Sequence, residues 1–136
     1  MANKRMISAD IITSDAFITM RHEAQALYLQ CIINSDDDGL IDNMTGVLRS
    51  LALKSPTLSE LLRKKFILDL GDGIYCIKHW WILNNNISPD RKKQTKYPEK
   101  LKLLKLKDNR AYTLKLEPLD SIGNLRDIWS QSVNSL

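Results

Sequence analysis

Apolar residues in the first half of the chain recur with the period of a helix, and polar breaks end each run. Ala24, Leu27, Tyr28 and Cys31 stand at i, i+3, i+4 and i+7, which predicts a helix over 22–34 with one buried stripe. Ser35-Asp36-Asp37-Asp38-Gly39 stops it, a polar turn whose glycine can take positive φ. Leu40-Ile41 suffices for a very short strand. Met44, Val47, Leu48 and Leu51 mark a second helix over 43–52, with Asp42 or Asn43 as its cap. Residues 54–56 break it. Thr57-Leu58-Ser59-Glu60 matches the capping box, in which Thr and Glu satisfy each other's free backbone donors. A third helix over 57–65 then buries Leu58, Leu61 and Leu62 and exposes Thr57, Ser59, Glu60, Arg63 and Lys64.

The period then changes. Residues 66–70 and 74–78 flank Gly71-Asp72-Gly73, a connection suited to a twisted β-hairpin. The order helix, tiny strand, helix, helix, hairpin predicts an α+β, mainly α fold: a winged helix-turn-helix with a β-hairpin wing. The tiny strand is expected to pair with the hairpin. Leu27, Leu48, Leu61, Phe66 and Ile77 are the expected core. Asp10–Phe17 reads as a short helix packed on that core, and His79–Leu83 as a helical turn closing it. Asn84–Asn86 reads as a loop. Ser88–Tyr97 reads as a linker, and Pro98 as the opening of a helix through about Lys107, with Leu101 and Leu104 inward. Ala111–Leu116 alternates weakly, as a strand would. Ile122, Leu125, Ile128 and Trp129 suit a last short amphipathic helix. The expected division is a winged-helix domain over 1–87 and a basic C-terminal extension over 88–136.

Charge changes the picture in one place. Residues 90–110 hold nine Lys or Arg against three Asp or Glu, whereas the parts before and after are each near neutral, within a chain of net charge +4. A local cation cluster is an electrostatic footprint for a polyanion, nucleic acid above all; the plain alternative is a solvated linker. Arg91, Lys92, Lys93 and Lys96 are the candidates for phosphate neutralisation, which gives affinity without reading sequence. Thr57, Ser59, Arg63 and Lys64 stand where a recognition helix would meet base edges or phosphates.

Other features point elsewhere. The run Asp36-Asp37-Asp38 reads as turn chemistry rather than a metal site. Trp80 and Trp81 lie about 100° apart on a helix, so one can fill the core while Trp81 is the candidate for a subunit or partner contact. Cys31 and Cys76 sit in apolar segments, as small buried hydrophobes of a reducing compartment do. No Ser/His/Asp arrangement, Cys–His cluster or glycine-rich phosphate loop is present, so no catalytic residue, metal or cofactor is assigned and no enzyme is expected. No apolar run is long enough to span a bilayer. A cytoplasmic protein of a bacterial host cell is expected, with no membrane partner.

The succession Arg5-Met6-Ile7-Ser8, Ser14-Asp15-Ala16-Phe17, Gln25-Ala26-Leu27-Tyr28 and Asp36-Asp37-Asp38-Gly39 resembles the N-terminal domain of phage replisome organisers, the DnaD-like replication initiation proteins. The resemblance runs on through Lys65-Phe66-Ile67, Ile77-Lys78-His79-Trp80, Asn84, Asp90-Arg91 and Tyr97, and ends near Asn109–Thr113. It implies a winged helix that binds duplex DNA and self-associates during replication initiation. Many members carry a second, helical domain, which this sequence is expected to lack. Two alternatives stay open: a stand-alone winged-helix transcriptional regulator, and a phage protein-binding module that inhibits a host or defence nucleoprotein complex. Trp81 stands where the family is commonly basic.

Overall fold

The fold grows from a helix whose inner stripe is that of the sequence pattern. In a computed structural model describing residues 4–84, 90 and 92–115, α3 (His22–Ile33) buries Ala24, Leu27, Tyr28, Cys31 and Ile32. Two single turns precede it, α1 (Ala9–Ile12) and α2 (Asp15–Ile18). The single helix expected over Asp10–Phe17 is thus broken. Ser14 interrupts it, because its hydroxyl oxygen accepts the Phe17 N–H and starts a new turn. That turn aims Phe17 at Tyr28 and Phe66, and the three rings meet edge to face with centroids 5.3–5.8 Å apart.

β1 (Leu40–Ile41), α4 (Met44–Ser50), α5 (Ser55–Arg63), β2 (Ile67–Asp69) and β3 (Tyr75–Ile77) follow in the expected order. β3 lies between β1 and β2 in an antiparallel sheet, with Leu40 opposite Cys76 and Leu68 opposite the same residue on the other side. Gly71, Asp72 and Gly73 all take positive φ, which two glycines make easy, and the Leu70 N–H donates to the Ile74 carbonyl across the turn. Leu27, Leu61, Phe66 and Ile77 are buried; Leu48 is only half-buried and packs against the core from α4, whose Met44 and Val47 point inside. Cys31 and Cys76 are buried free thiols.

Four further expectations are corrected. α5 begins at Ser55, because Pro56 occupies its first turn, where a missing N–H costs nothing. The Thr57–Glu60 capping box is not made. Neither Asp42 nor Asn43 caps α4 through its side chain. The largest difference is in the extension. The helix from Pro98 lasts a single turn, α7 (Pro98–Leu101), after which β4 (Leu104–Leu106) and β5 (Tyr112–Leu114) form an antiparallel ribbon. Leu104-Lys105-Leu106-Lys107 has the two-residue period of a strand, and Asp108-Asn109 supplies a turn; both outweigh the weak Leu101/Leu104 helix spacing. The expected helix at Ile122–Trp129 lies outside the described residues.

The molecule is therefore mixed α+β, mainly helical, with a small antiparallel sheet and a second, two-stranded ribbon. No helix among the described residues is long and apolar enough to cross a membrane. The ribbon packs on the body: Leu104 and Tyr112 belong to the main core, and the Tyr112 N–H donates to the Lys78 carbonyl at 2.8 Å. The remaining turn, α6 (Trp80–Leu83), sets Trp80 wholly inside.

Gly39 has φ +87°, and a Cβ there would lie 2.6 Å from Trp80 Cγ. Gly39→Ala should therefore destabilise the fold by about 3 kcal/mol, through backbone strain and overpacking together. Leu61→Ala should cost about 2–5 kcal/mol. Urea unfolding monitored by tryptophan fluorescence measures both, and an unchanged midpoint in either variant would show the packing to be misassigned.

Candidate nucleic-acid interface

α5 presents Ser59 and Arg63 to solvent, with Lys64 just beyond its end, while Thr57 is half-buried. The Ser59 hydroxyl donates to the Ser55 carbonyl at 3.2 Å. Leu58 and Leu61 hold the inner face. Glu60, expected outside, is only 8% exposed. Its carboxylate accepts the backbone N–H of Arg21, the residue capping α3, at 3.2 Å. The negative charge thus serves the positive end of a neighbouring helix and leaves α5's outer face cationic.

The second candidate set is built quite differently from a solvated linker. Lys92 Nζ donates to both carboxylate oxygens of Asp38, at 2.9 and 3.0 Å. The Lys93 backbone N–H donates to Asp37 Oδ2 at 2.8 Å, and Thr95 Oγ1 donates to Asp36 Oδ2 at 2.6 Å. Tyr97 closes the series by donating to Asp42. Each carboxylate of the triplet therefore holds part of the segment 92–97. Lys93 and Lys96 keep their side chains exposed, and Arg91 lies outside the described residues.

The same turn holds the N-terminal segment. Arg5 Nη2 lies 3.1 Å from Asp37 Oδ1, with both side chains only 2% exposed, and donates to the Ser35 carbonyl at 2.9 Å. The guanidinium also stands 5.1 Å from the Trp80 ring centroid, within cation–π range. Burial pushes the Asp37 carboxyl up, but the Lys93 N–H and the Arg5 guanidinium outweigh it and hold it below the usual carboxylate range. Among the described residues, no group of three His, Cys, Asp or Glu is arranged to hold a metal ion.

Trp81 is partly buried against the core, and its indole N–H donates to the Tyr112 hydroxyl at 2.8 Å. That hydroxyl donates in turn to the Asp38 carbonyl at 2.8 Å. The residue singled out as a partner contact is thus tied to the ribbon of its own chain.

The ribbon supplies cations that sequence reasoning did not place. Residues 102–115 carry five basic groups, Lys102, Lys105, Lys107, Arg110 and Lys115, against Asp108. All five basic residues are exposed. The signal was present in the Leu-Lys alternation, but the helix reading scattered those lysines around a cylinder. The ribbon is linked to the segment that follows α5 through Lys78, whose carbonyl accepts the Tyr112 N–H and whose N–H donates to the Phe66 carbonyl. His79 packs its ring on Phe66, 5.8 Å between centroids, and Phe66 follows α5 closely in the chain. Burial, then Lys78 and Lys107, push the His79 imidazole down to about 4. No protein-family model, no curated protein and no solved structure matches the chain.

Two outcomes are expected. Arg5→Met leaves Asp37 buried without its cation and should cost about 3–5 kcal/mol, read by urea unfolding. His79 titrates near 6.5 when unfolded and near 4 when folded, so below pH 6.5 the unfolded state alone takes up the proton. Stability should therefore fall steadily from pH 6.5 to about 4 and then cease to depend on this group. The His79→Gln variant should lack that limb; an identical pH profile would remove His79 as its cause.

Proposed function

We propose that the protein is a winged-helix DNA-binding protein of a phage or mobile element, of the replisome-organiser type, acting by binding without catalysis. One observation carries the reading. α3, β1, α4, α5, β2 and β3 follow in the order of a winged helix-turn-helix, with β3 between β1 and β2. In that arrangement α5 is the recognition helix and the β2–β3 hairpin the wing. Ser59, Arg63 and Lys64 on its exposed side match the chemistry of base edges and phosphates, with Thr57 at the margin. Lys93 and Lys96 add phosphate contacts, whereas the Lys92 ammonium is already held by Asp38. The resemblance carried by Arg5–Ser8, Asp36–Gly39 and Ile77–Trp80 names the biological setting, replication initiation. A stand-alone transcriptional regulator built from the same domain would use the same surface.

A protein-binding module is the second reading, favoured by Leu103 and Leu106, which are 39% and 49% exposed beside the ribbon lysines. Apolar side chains ringed by cations suit a protein partner better than a phosphate backbone.

A salt titration on duplex and single-stranded DNA, with the mass of the free protein measured alongside, separates the readings. Binding to duplex should weaken linearly in log salt. Arg63→Ala should cost about 1–3 kcal/mol on a preferred site and much less on unrelated DNA. Absence of binding to either nucleic acid at low salt would overturn the DNA reading and leave the protein-binding module.

A further inference from the structure

We propose that the β4–β5 ribbon is a second nucleic-acid contact, gripping the phosphates of duplex DNA beside α5; the inference rests on the DNA-binding reading above. Charge, shape and placement combine to carry it. Of the basic residues between positions 92 and 115, Lys92 is engaged with Asp38, and Lys100 with Asp72 at 2.7 Å and with the Leu70 carbonyl at 3.1 Å. Among the described residues, Lys105, Lys107 and Arg110 have no such carboxylate partner, and all three are exposed.

The ribbon's alternation turns its cations away from the body. Leu104 turns inward and is buried, so the two-residue period sends Lys105 and Lys107 to the opposite face. Their Cα atoms are about 6.8 Å apart along an antiparallel strand. That is the axial rise of about two successive phosphates on one DNA strand. The tip is closed tightly: Lys107 N–H donates to the Ala111 carbonyl and Arg110 N–H to the Lys107 carbonyl, each at 2.8 Å. Arg110 itself takes φ +71° at the end of the turn.

Placement joins the ribbon to α5. The Tyr112 N–H bonds to the Lys78 carbonyl, and the Lys78 N–H bonds to the carbonyl of Phe66, just past the end of α5. The tip end of the ribbon, where Tyr112 pairs with Leu106, is therefore held beside the Phe66–His79 pair that follows α5. The ribbon's cations are thereby tied through two backbone hydrogen bonds to the segment that leaves α5, the helix assigned to the duplex.

The test uses the full chain and a fluorescently labelled mixed-sequence duplex, titrated from 20 mM to 0.3 M salt. The variant is Lys105→Gln, Lys107→Gln, Arg110→Asn, the asparagine chosen because it tolerates positive φ. Three lost phosphate contacts should reduce the slope of log K against log salt by about 2.7. With an unchanged intercept at 1 M salt, affinity at 0.1 M should fall about 500-fold. Each single substitution should lower the slope by about 0.9, which keeps the inference testable if the triple variant folds poorly. Duplex binding by the wild type together with unchanged slopes in the variants would overturn the ribbon contact and leave α5 as the interface. Failure of the wild type to bind duplex at 20 mM salt would overturn the underlying DNA reading as well.

Discussion

The turn Asp36–Gly39, packed without a gap against Trp80, is the constraint on which the rest of the structure depends. Gly39 at φ +87° brings the chain so close to the indole that no side chain fits between them. The contact fixes the turn's outward groups. The Asp37 carbonyl accepts the Trp80 indole N–H at 3.0 Å, and the Asp38 carbonyl accepts the Tyr112 hydroxyl. The Gly39 carbonyl accepts the Ile77 N–H at 2.9 Å, next to the point where β1 begins to pair with β3. One four-residue stretch thus follows α3, starts the sheet and receives the α6 and β5 side chains.

The carboxylates of the turn extend its reach. They face the N-terminal segment through Arg5 and the segment 92–97 through Lys92, Lys93 and Thr95. These contacts differ in weight. Arg5 and Asp37 are both almost wholly withdrawn from water, so neither tolerates loss of the other. Lys92 keeps 29% of its side chain exposed and Asp38 5%, so their pair is less withdrawn from water than that of Arg5 and Asp37. The two hydrogen bonds that hold Lys93 and Thr95 to Asp37 and Asp36 carry neutral donors, and they position the chain rather than its charge. The basic segment is therefore shaped by the body, and its remaining cations project from a fixed backbone.

Local signals were legible where neighbours in sequence are neighbours in space. The stripe of α3, the β1 position and the Gly-Asp-Gly hairpin follow from periodicity and turn chemistry alone. Two misreadings share a cause, competition between local patterns. Pro56 was taken as a break although proline also opens helices. Leu101 and Leu104 were weighed over the Leu-Lys alternation beside them. The remaining failures are non-local. Glu60 was assigned to its own helix, yet its partner is Arg21, 39 residues away. The carboxylates of Asp36–Asp38 find partners more than 50 residues later, which no spacing rule near the triplet reports. The α5 face was visible as a candidate surface because α5 was recognised; the ribbon cations were not, because the ribbon was read as a helix.

If the acidic turn joins the extension to the body, the two must open together. Native-state hydrogen exchange tests this directly at the Lys93 amide and at the β4–β5 ladder. These amides should exchange with the same opening free energy as those in the middle of α3, and Gly39→Ala should lower all of them alike. Rapid exchange of Lys93 and the ribbon beside a fully protected α3 would contradict it, and would make the extension a separable unit held by nothing in the turn.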